Sequence, residues 1–506
     1  MRRSCKSHGN IILVCKLHPA HDIPLRDFCR VNHRYDAIIV GAGPNGLAAA
    51  ITLAKAGLSV LVLEANATPG GGCRTEALTL PGFIHDTCSS IHPMGKASPF
   101  FRSLDLGIDW IQPEIAVAHP LGTGAAWLNQ SIVSSAECLG SDALAYRRLM
   151  EPLVGEWEWL IEEILQPMLH FPRHPGTLLR FSPSALRSAS GLARRHFETD
   201  AVRGLFAGLA GHSFLPLQTM GSAAIGMVLG IMAHGVGWPM PRGGSGKIAE
   251  ALVSTLIRLG GRVETSCRIT KIEELPAARA VFFDVTPRQL LDIAGHRFPD
   301  GYRAALQKFR YGPGVFKIDY ALHAPIPWTA EACRRAGTVH IGGTLEEIER
   351  AEYQVSQGEI PQKPFILLAQ HSLFDNTRAP AGKHTAWAYC HVPHASDIDM
   401  TERMEAQIER FAPGFRDCIL ARANQNCRMM EEKNANLVGG DINGGLATLW
   451  QMMARPILSA HPYRTPCPGL YLCSASTPPG GGVHGMCGYN AARDALRYRF
   501  DTTSDV

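Results

Sequence analysis

The spacing of apolar and polar positions divides the chain into regions with different periods. "YDAIIV" (Tyr35–Val40) is a short unbroken apolar run, which predicts a buried strand. Leu47–Ala56 is rich in Ala and Leu and reads as a helix that Gly57 stops. Leu58–Leu63 is a second strand, ended by Glu64. Residues 101–234 are mostly helical in pattern. Within them, "SDALAYRRLMEPLVGEWEWLIEEIL" places acids and apolar groups at helical spacing. Its Trp157 and Trp159 are read as structural aromatics rather than channel lining. "LFAGLAGHSFLPLQTMGSAAIGMVLGIMAHG" is apolar and rich in small residues, as expected of a packed helix pair beside a cavity. Ser245–Leu259 reads as a capped helix, followed by strands that include "AVFF". Residues 301–440 mix strand-like runs ("VFKIDYAL", "FILLAQHSL", "HTAWAYCHV") with one helix, "TERMEAQIERFA". Late in the chain, Leu470–Leu472 is a short strand, and a helix runs from about Gly485 to Arg499.

A chain of 506 residues is too long for one simple core, so at least two domains are expected. Apolar residues make up 46% and charged residues 19%, which is ordinary for a globular enzyme. The longest apolar stretch, "AAIGMVLGIMA", is too short to span a bilayer, which leaves peripheral membrane contact open. The net charge of +4 comes from residues 1–34, and the remainder is close to neutral. No basic stripe suggests nucleic acid. The first 34 residues lack a signal-peptide core and read as a basic, disordered extension, a targeting segment or an overlong start. The 14 cysteines include no C-x-x-C, which argues against a redox dithiol and for reduced, cytoplasmic thiols. In a eukaryote, an organelle such as the mitochondrion is the alternative location. His85, Cys88 and His92 lie close together but match no standard zinc spacing, so no metal is expected.

The chemistry concentrates in "RYDAIIVGAGPNGLAAAITLAKAGLSVLVLEA". Gly41, Gly43 and Gly46 form G-x-G-x-x-G between a strand and a helix, with Pro44 and Asn45 inside the turn. The first glycine permits the tight turn, the second lets a pyrophosphate approach the backbone, and the third lets helix and strand pack closely. The helix N-terminus offers free N–H groups to the phosphates. Glu64, followed by Ala65, stands where an acid accepts ribose hydroxyls, and its charge disfavours a 2′-phosphate. A second loop follows at once: Gly70, Gly71, Gly72, Cys73 and Arg74. Two glycine loops around one long cofactor suit FAD better than NAD. "WPMPRGGSGK" fails as a P-loop, because Pro241 and Ile248 stand where glycine and Ser/Thr are needed.

These motifs, "GAGPNGLAAA…LEA…GGGCRT…PGFIHD…IHP" with the late "PGLYLCSASTPPGGGVHGMCGYNAARDAL", resemble the phytoene-desaturase-like FAD-dependent oxidoreductases. The resemblance is strongest to the branch that includes pyridine nucleotide-disulfide oxidoreductase domain-containing proteins. It implies an α/β fold: a Rossmann-like FAD-binding domain of the glutathione-reductase or amine-oxidase kind, with an α+β substrate domain. The expected division is 35–100, 235–300 and 440–500 for FAD, and 101–234 with 301–439 for substrate. The late turn would close the flavin site through Ser476, Gly481, Gly482 and Val483, and the backbone near Val263 would meet adenine. Many flavoproteins place an Asp after the late strand, where this chain has Cys473 to Ser476.

The resemblance implies dehydrogenation of a small apolar organic substrate by hydride transfer to flavin, with oxygen or a quinone as electron acceptor. His484 is the candidate proton acceptor, with His85 or His92 behind it. Three other readings share the fold: a flavin amine oxidase, a non-redox isomerase or cyclase, and a non-enzymatic prenyl-binding escort.

Overall fold

Two sheets organise the chain, which the computed structural model describes over residues 35–501. The basic extension 1–34 lies outside the described residues. The first sheet has five parallel strands in the order Leu470–Leu472, Ala278–Phe283, Tyr35–Val40, Val60–Leu63, Arg262–Glu264. Its strands read as continuous apolar runs because both faces are covered. Ile39, Val62 and Phe282 belong to one core with the helix Pro44–Lys55 and the last helix, Met486–Tyr498. Ile38, Leu61 and Phe283 belong to another with the helix Pro287–Ala294. A doubly covered parallel sheet binds ligands at the carboxyl ends of its strands. Here those ends carry Gly41, Glu64, Asp284 and Cys473.

The second sheet has seven strands in the order Ile419–Gln425, Gly314–Leu322, His384–Val392, Ile366–Ala369, Ala336–Ile341, Ile115–Leu121, Gly124–Leu128. All its pairings are antiparallel except that of Ala336–Ile341 with Ile115–Leu121. One face packs on Trp328, Phe411 and Phe415. The architecture is therefore α/β, with a Rossmann-like nucleotide unit and a mixed α+β unit. Among the described residues, no helix is long and apolar enough to cross a membrane.

Two regional expectations need correction. The mostly helical stretch 101–234 also contains the hairpin Ile115–Leu121/Gly124–Leu128. Its Ala-rich composition hides the strand signal; the break at Gly122, with φ +57°, is the visible mark of a turn. Residues 301–440 hold more than one helix. Leu345–Ser356 starts with a capping box in which the Thr344 side chain accepts from the Glu347 N–H and Glu347 returns the contact.

Candidate active site and cofactor cleft

The first glycine loop crosses from strand Tyr35–Val40 to helix Pro44–Lys55, with Gly43 at the helix start and Pro44 in its first turn. Added bulk has no room there. A β-carbon on Gly46 would lie 2.2 Å from the Gly41 carbonyl oxygen, and one on Gly43 would lie 2.6 Å from Asp284 Oδ2. The second loop sits directly on the first. Gly70 donates its N–H to the Ala42 carbonyl at 2.9 Å, and a β-carbon on Gly71 would lie 3.0 Å from Gly43 Cα. Glu64 fastens this corner, its Oε2 accepting from the Ala42 N–H and its Oε1 from the Asn66 N–H, both at 2.8 Å. Each oxygen keeps a second lone pair for a ligand hydroxyl.

The C-terminal segment closes the cleft from the other side. A β-carbon on Gly488 would lie 1.7 Å from the Asn45 carbonyl oxygen, so the last helix rests against the first with only hydrogen between them. Gly482 and Val483, just before that helix, line the same cavity as Gly43. Arg455, 1% exposed, binds the neighbouring loops together, donating to the carbonyls of Asn443, Gly444 and Ala475. One cavity of about 330 Å³ is lined by Gly43, Pro44, Asn45, Gly71, Gly72, Gly482 and Val483. It continues into a chamber of Phe214, Leu229, Trp238, Leu367 and Tyr389. A second, smaller cavity adjoins it, lined by Gly41, Glu64, Ala65, Asn66 and Cys267–Ile269. Gly43, Gly71 and Asp284 line both parts. The residues fit a dinucleotide: a narrow end with an acid, a middle where glycines leave backbone bare at a helix N-terminus, and a wide apolar end.

Several expected residues stand behind this surface and do not line it. Val263 pairs with Val62 inside the first sheet, and Cys267, Arg268 and Ile269 line the narrow end in its place. Cys73 is fully buried against Ser89, and burial pushes its thiol up to about 12. Arg74 donates to the Lys433 carbonyl. Ser476 is buried and donates to the Gly444 carbonyl, while Ala475 lines the cavity. Gly481 faces the Asn443 backbone. Gly46 packs under the loop.

His484 does not face the chamber. Its Nδ1 accepts the Met486 N–H at 3.0 Å, capping the last helix, and its carbonyl accepts from Ser98. Burial holds the imidazole down at about 4. This geometry seats the ring at the start of the last helix, with Nδ1 already taken by a backbone N–H. His85 is also turned away, toward Thr79 and Asp319. His92 does line the chamber. Its Nε2 meets Ser245 Oγ at 2.8 Å, and Ser245 itself donates to the Ser89 carbonyl, so the His92 ring donates through Nε2. His85, Cys88 and His92 do not converge, and no group of three or more metal-ligating side chains does so among the described residues.

Sequence reasoning missed two ionisable residues on the cavity wall. Lys317 is 2% exposed, lines the cavity, and pairs closely with the buried Asp319; its ammonium lies 5.9 Å from the Trp387 ring centroid. A lysine and an aspartate inside the apolar run "VFKIDYAL" were the available signal. Asp284 ends the strand "AVFF" and accepts the Gly46 N–H at 2.9 Å. Burial pushes its carboxyl up to about 8, with Glu64 adding repulsion; the contacts from Gly46 and Gly43 oppose this and do not win.

A stability profile follows from Asp284. The unfolded carboxyl titrates near 4, so its folded form binds the proton more tightly. Its stabilising contribution is complete below the unfolded value and is lost as pH rises through about 8. Asp284→Asn, which keeps an acceptor for Gly46, should melt a few degrees above the parent at pH 8.5 and within a degree of it at pH 4, by thermal unfolding across that range.

The chain's relatives agree with this geometry. Residues 39–105 match a family model described as an NAD(P)-binding Rossmann-like domain. The mouse pyridine nucleotide-disulfide oxidoreductase domain-containing protein 2 is 24% identical over 92% of this chain and 94% of its own length. The Fusarium fujikuroi phytoene desaturase is 23% identical over 72% of this chain and 68% of its own. Putrescine oxidase in its putrescine-bound form superposes with a TM-score of 0.57 at 16% identity, over 92% of this chain and 99% of that one, which shows a shared fold. Together the family model and these relatives support an FAD-dependent oxidoreductase family, and the putrescine oxidase structure adds the shared fold alone.

Proposed function

We propose that the chain binds FAD and dehydrogenates a largely apolar, isoprenoid- or lipid-like substrate. The carrying observation is the continuity of one cavity, from the glycine loops and the late turn into a chamber of Phe214, Leu229, Trp238 and Leu367. Bound FAD would supply the hydride acceptor. Glu64 and Ala65 would hold its adenosine end, the backbone at Gly41–Asn45 and Gly71–Gly72 its phosphates, and Gly482 and Val483 its ring. Lys317 would place a fixed positive charge on the wall of the reaction chamber, where it would favour the negative charge that develops on the reduced ring and not the positive charge left on the substrate. The apolar walls would exclude water. Oxygen or a quinone would take the electrons onward.

A flavin amine oxidase is the second reading, favoured by Trp387 and Tyr389, which line the chamber edge-to-face at 5.2 Å. Lys317 already lies near the Trp387 ring, and its charge would repel an ammonium substrate. A peripheral lipid contact is supported by Leu169 and Phe171, both exposed beside Arg173.

Anaerobic spectroscopy of the FAD-loaded protein tests the reading. Bleaching of the flavin band by an isoprenoid or other lipid is expected. Bleaching by amines alone would move the assignment to amine oxidation. Product formed without net redox change would move it to isomerisation. A protein that cannot be loaded with FAD would point to lipid binding without catalysis.

A further inference from the structure

The floor of the chamber is a row of side chains directly paired across the second sheet: Lys317 with Tyr389, Tyr389 with Leu367, Leu367 with His340. Paired residues point to the same face. Lys317, Tyr389 and Leu367 line the cavity. At the far end His340 is covered by His212, whose Nε2 lies 3.1 Å from His340 Nε2 and which itself lines the cavity. Three strand spacings separate Lys317 from His340, roughly 14 Å. The row is therefore charged at one end, apolar and aromatic in the middle, and polar at the other end.

The chain makes room for this imidazole pair. The helix Asp200–Gly211 presents Gly208 to it, where a β-carbon would lie 2.8 Å from His340 Nδ1. Burial keeps both rings neutral: His212 is pushed down to about 3, and His340 is held well below its ordinary value. Two neutral rings joined through their Nε2 atoms share one proton between those atoms. His340 Nδ1 is buried without a partner among the described residues. A proton placed there would be an orphaned donor, so His340 carries its proton on Nε2 and donates it to His212. A neutral His212 then carries its own proton on Nδ1. That atom has no partner among the described residues and is not sealed from the cavity.

We infer that His212 Nδ1–H is a specificity contact for an acceptor oxygen, a hydroxyl or carbonyl, on the substrate's distal end, at the His340 end of the row and away from Lys317. The substrate class is thus an oxygen-terminated elongated apolar molecule and not a plain hydrocarbon. This rests on the reading of the chamber as the substrate's seat.

The test is calorimetric titration of the full chain, FAD-loaded and FAD-free, with dodecan-1-ol and with dodecane. The alcohol should bind about tenfold more tightly, the value of one buried hydrogen bond. His212→Leu should erase that preference while still binding dodecane, and His212→Asn, which keeps a donor near the same place, should retain part of it. A purely structural histidine would not change the ratio. Equal affinities in the parent protein, or a preference that survives in His212→Leu, would overturn the inference. Failure of both probes to bind would overturn it together with the chamber reading. A preserved alcohol preference in a chain that takes up no FAD would remove the flavin assignment alone and leave His212 in its role.

Discussion

Lys317→Met should load with FAD normally and oxidise substrate at least a hundredfold more slowly. The ammonium is fixed in a buried wall by Asp319, so it is set before the reaction and needs little reorganisation during it. Removing one such preorganised group typically costs a factor of about 10² to 10³ in kcat. Methionine matches the length of the apolar stem and fills the space beside Trp387. Asp319 is left without its cation, but burial already pushes its carboxyl up, and it can take a proton. Fold and loading should therefore survive. Single-turnover kinetics with the loaded protein separates these effects. A rate within threefold of the parent's would remove Lys317 from the reaction.

Gly488→Val should cost the protein its flavin from a position far from the first glycine loop in sequence. The new side chain would begin 1.7 Å from the Asn45 carbonyl oxygen, a backbone atom that cannot turn aside. The last helix must then move off the first, carrying Gly482 and Val483 away from Gly43. Overpacking of this kind costs about 1–3 kcal/mol where neighbours can relax, and more where the obstacle is backbone. Gly301→Ala is the control: its β-carbon would meet nothing within 4 Å, and it lies in a helix. Flavin content after purification and the melting temperature report the outcome. A fully loaded Gly488→Val would mean that the late turn does not close the cleft.

The nucleotide half was readable because its signals are local. Strand, glycine turn, helix and Glu64 occur within 30 residues, and each has one conformational meaning. The late turn was readable for the same reason, in "PPGGGVHGM". The rest depends on pairings between distant segments. Lys317 and His340 become parts of one row only through the strand order of the second sheet, and nothing near either residue specifies that order. Val263 sits on the edge strand of the first sheet, and that the loop after it, Cys267–Ile269, lines the narrow end could not be read from the sequence. His484 stands beside the glycine turn, and nothing in the sequence shows that the Met486 N–H takes its Nδ1. Asp284 was overlooked because an acid after an apolar strand resembles an ordinary turn; its burial shows only when the first strand and helix are placed against it.

The central claim is that loops from both ends of the chain hold one flavin dinucleotide. Titration of the flavin-free full chain with FAD and with FMN addresses it most directly. One FAD per chain should bind, and FMN should bind at least a hundredfold more weakly, because FMN leaves the Glu64 end of the cleft empty. No uptake of FAD, or equal affinity for the two flavins, would contradict the account.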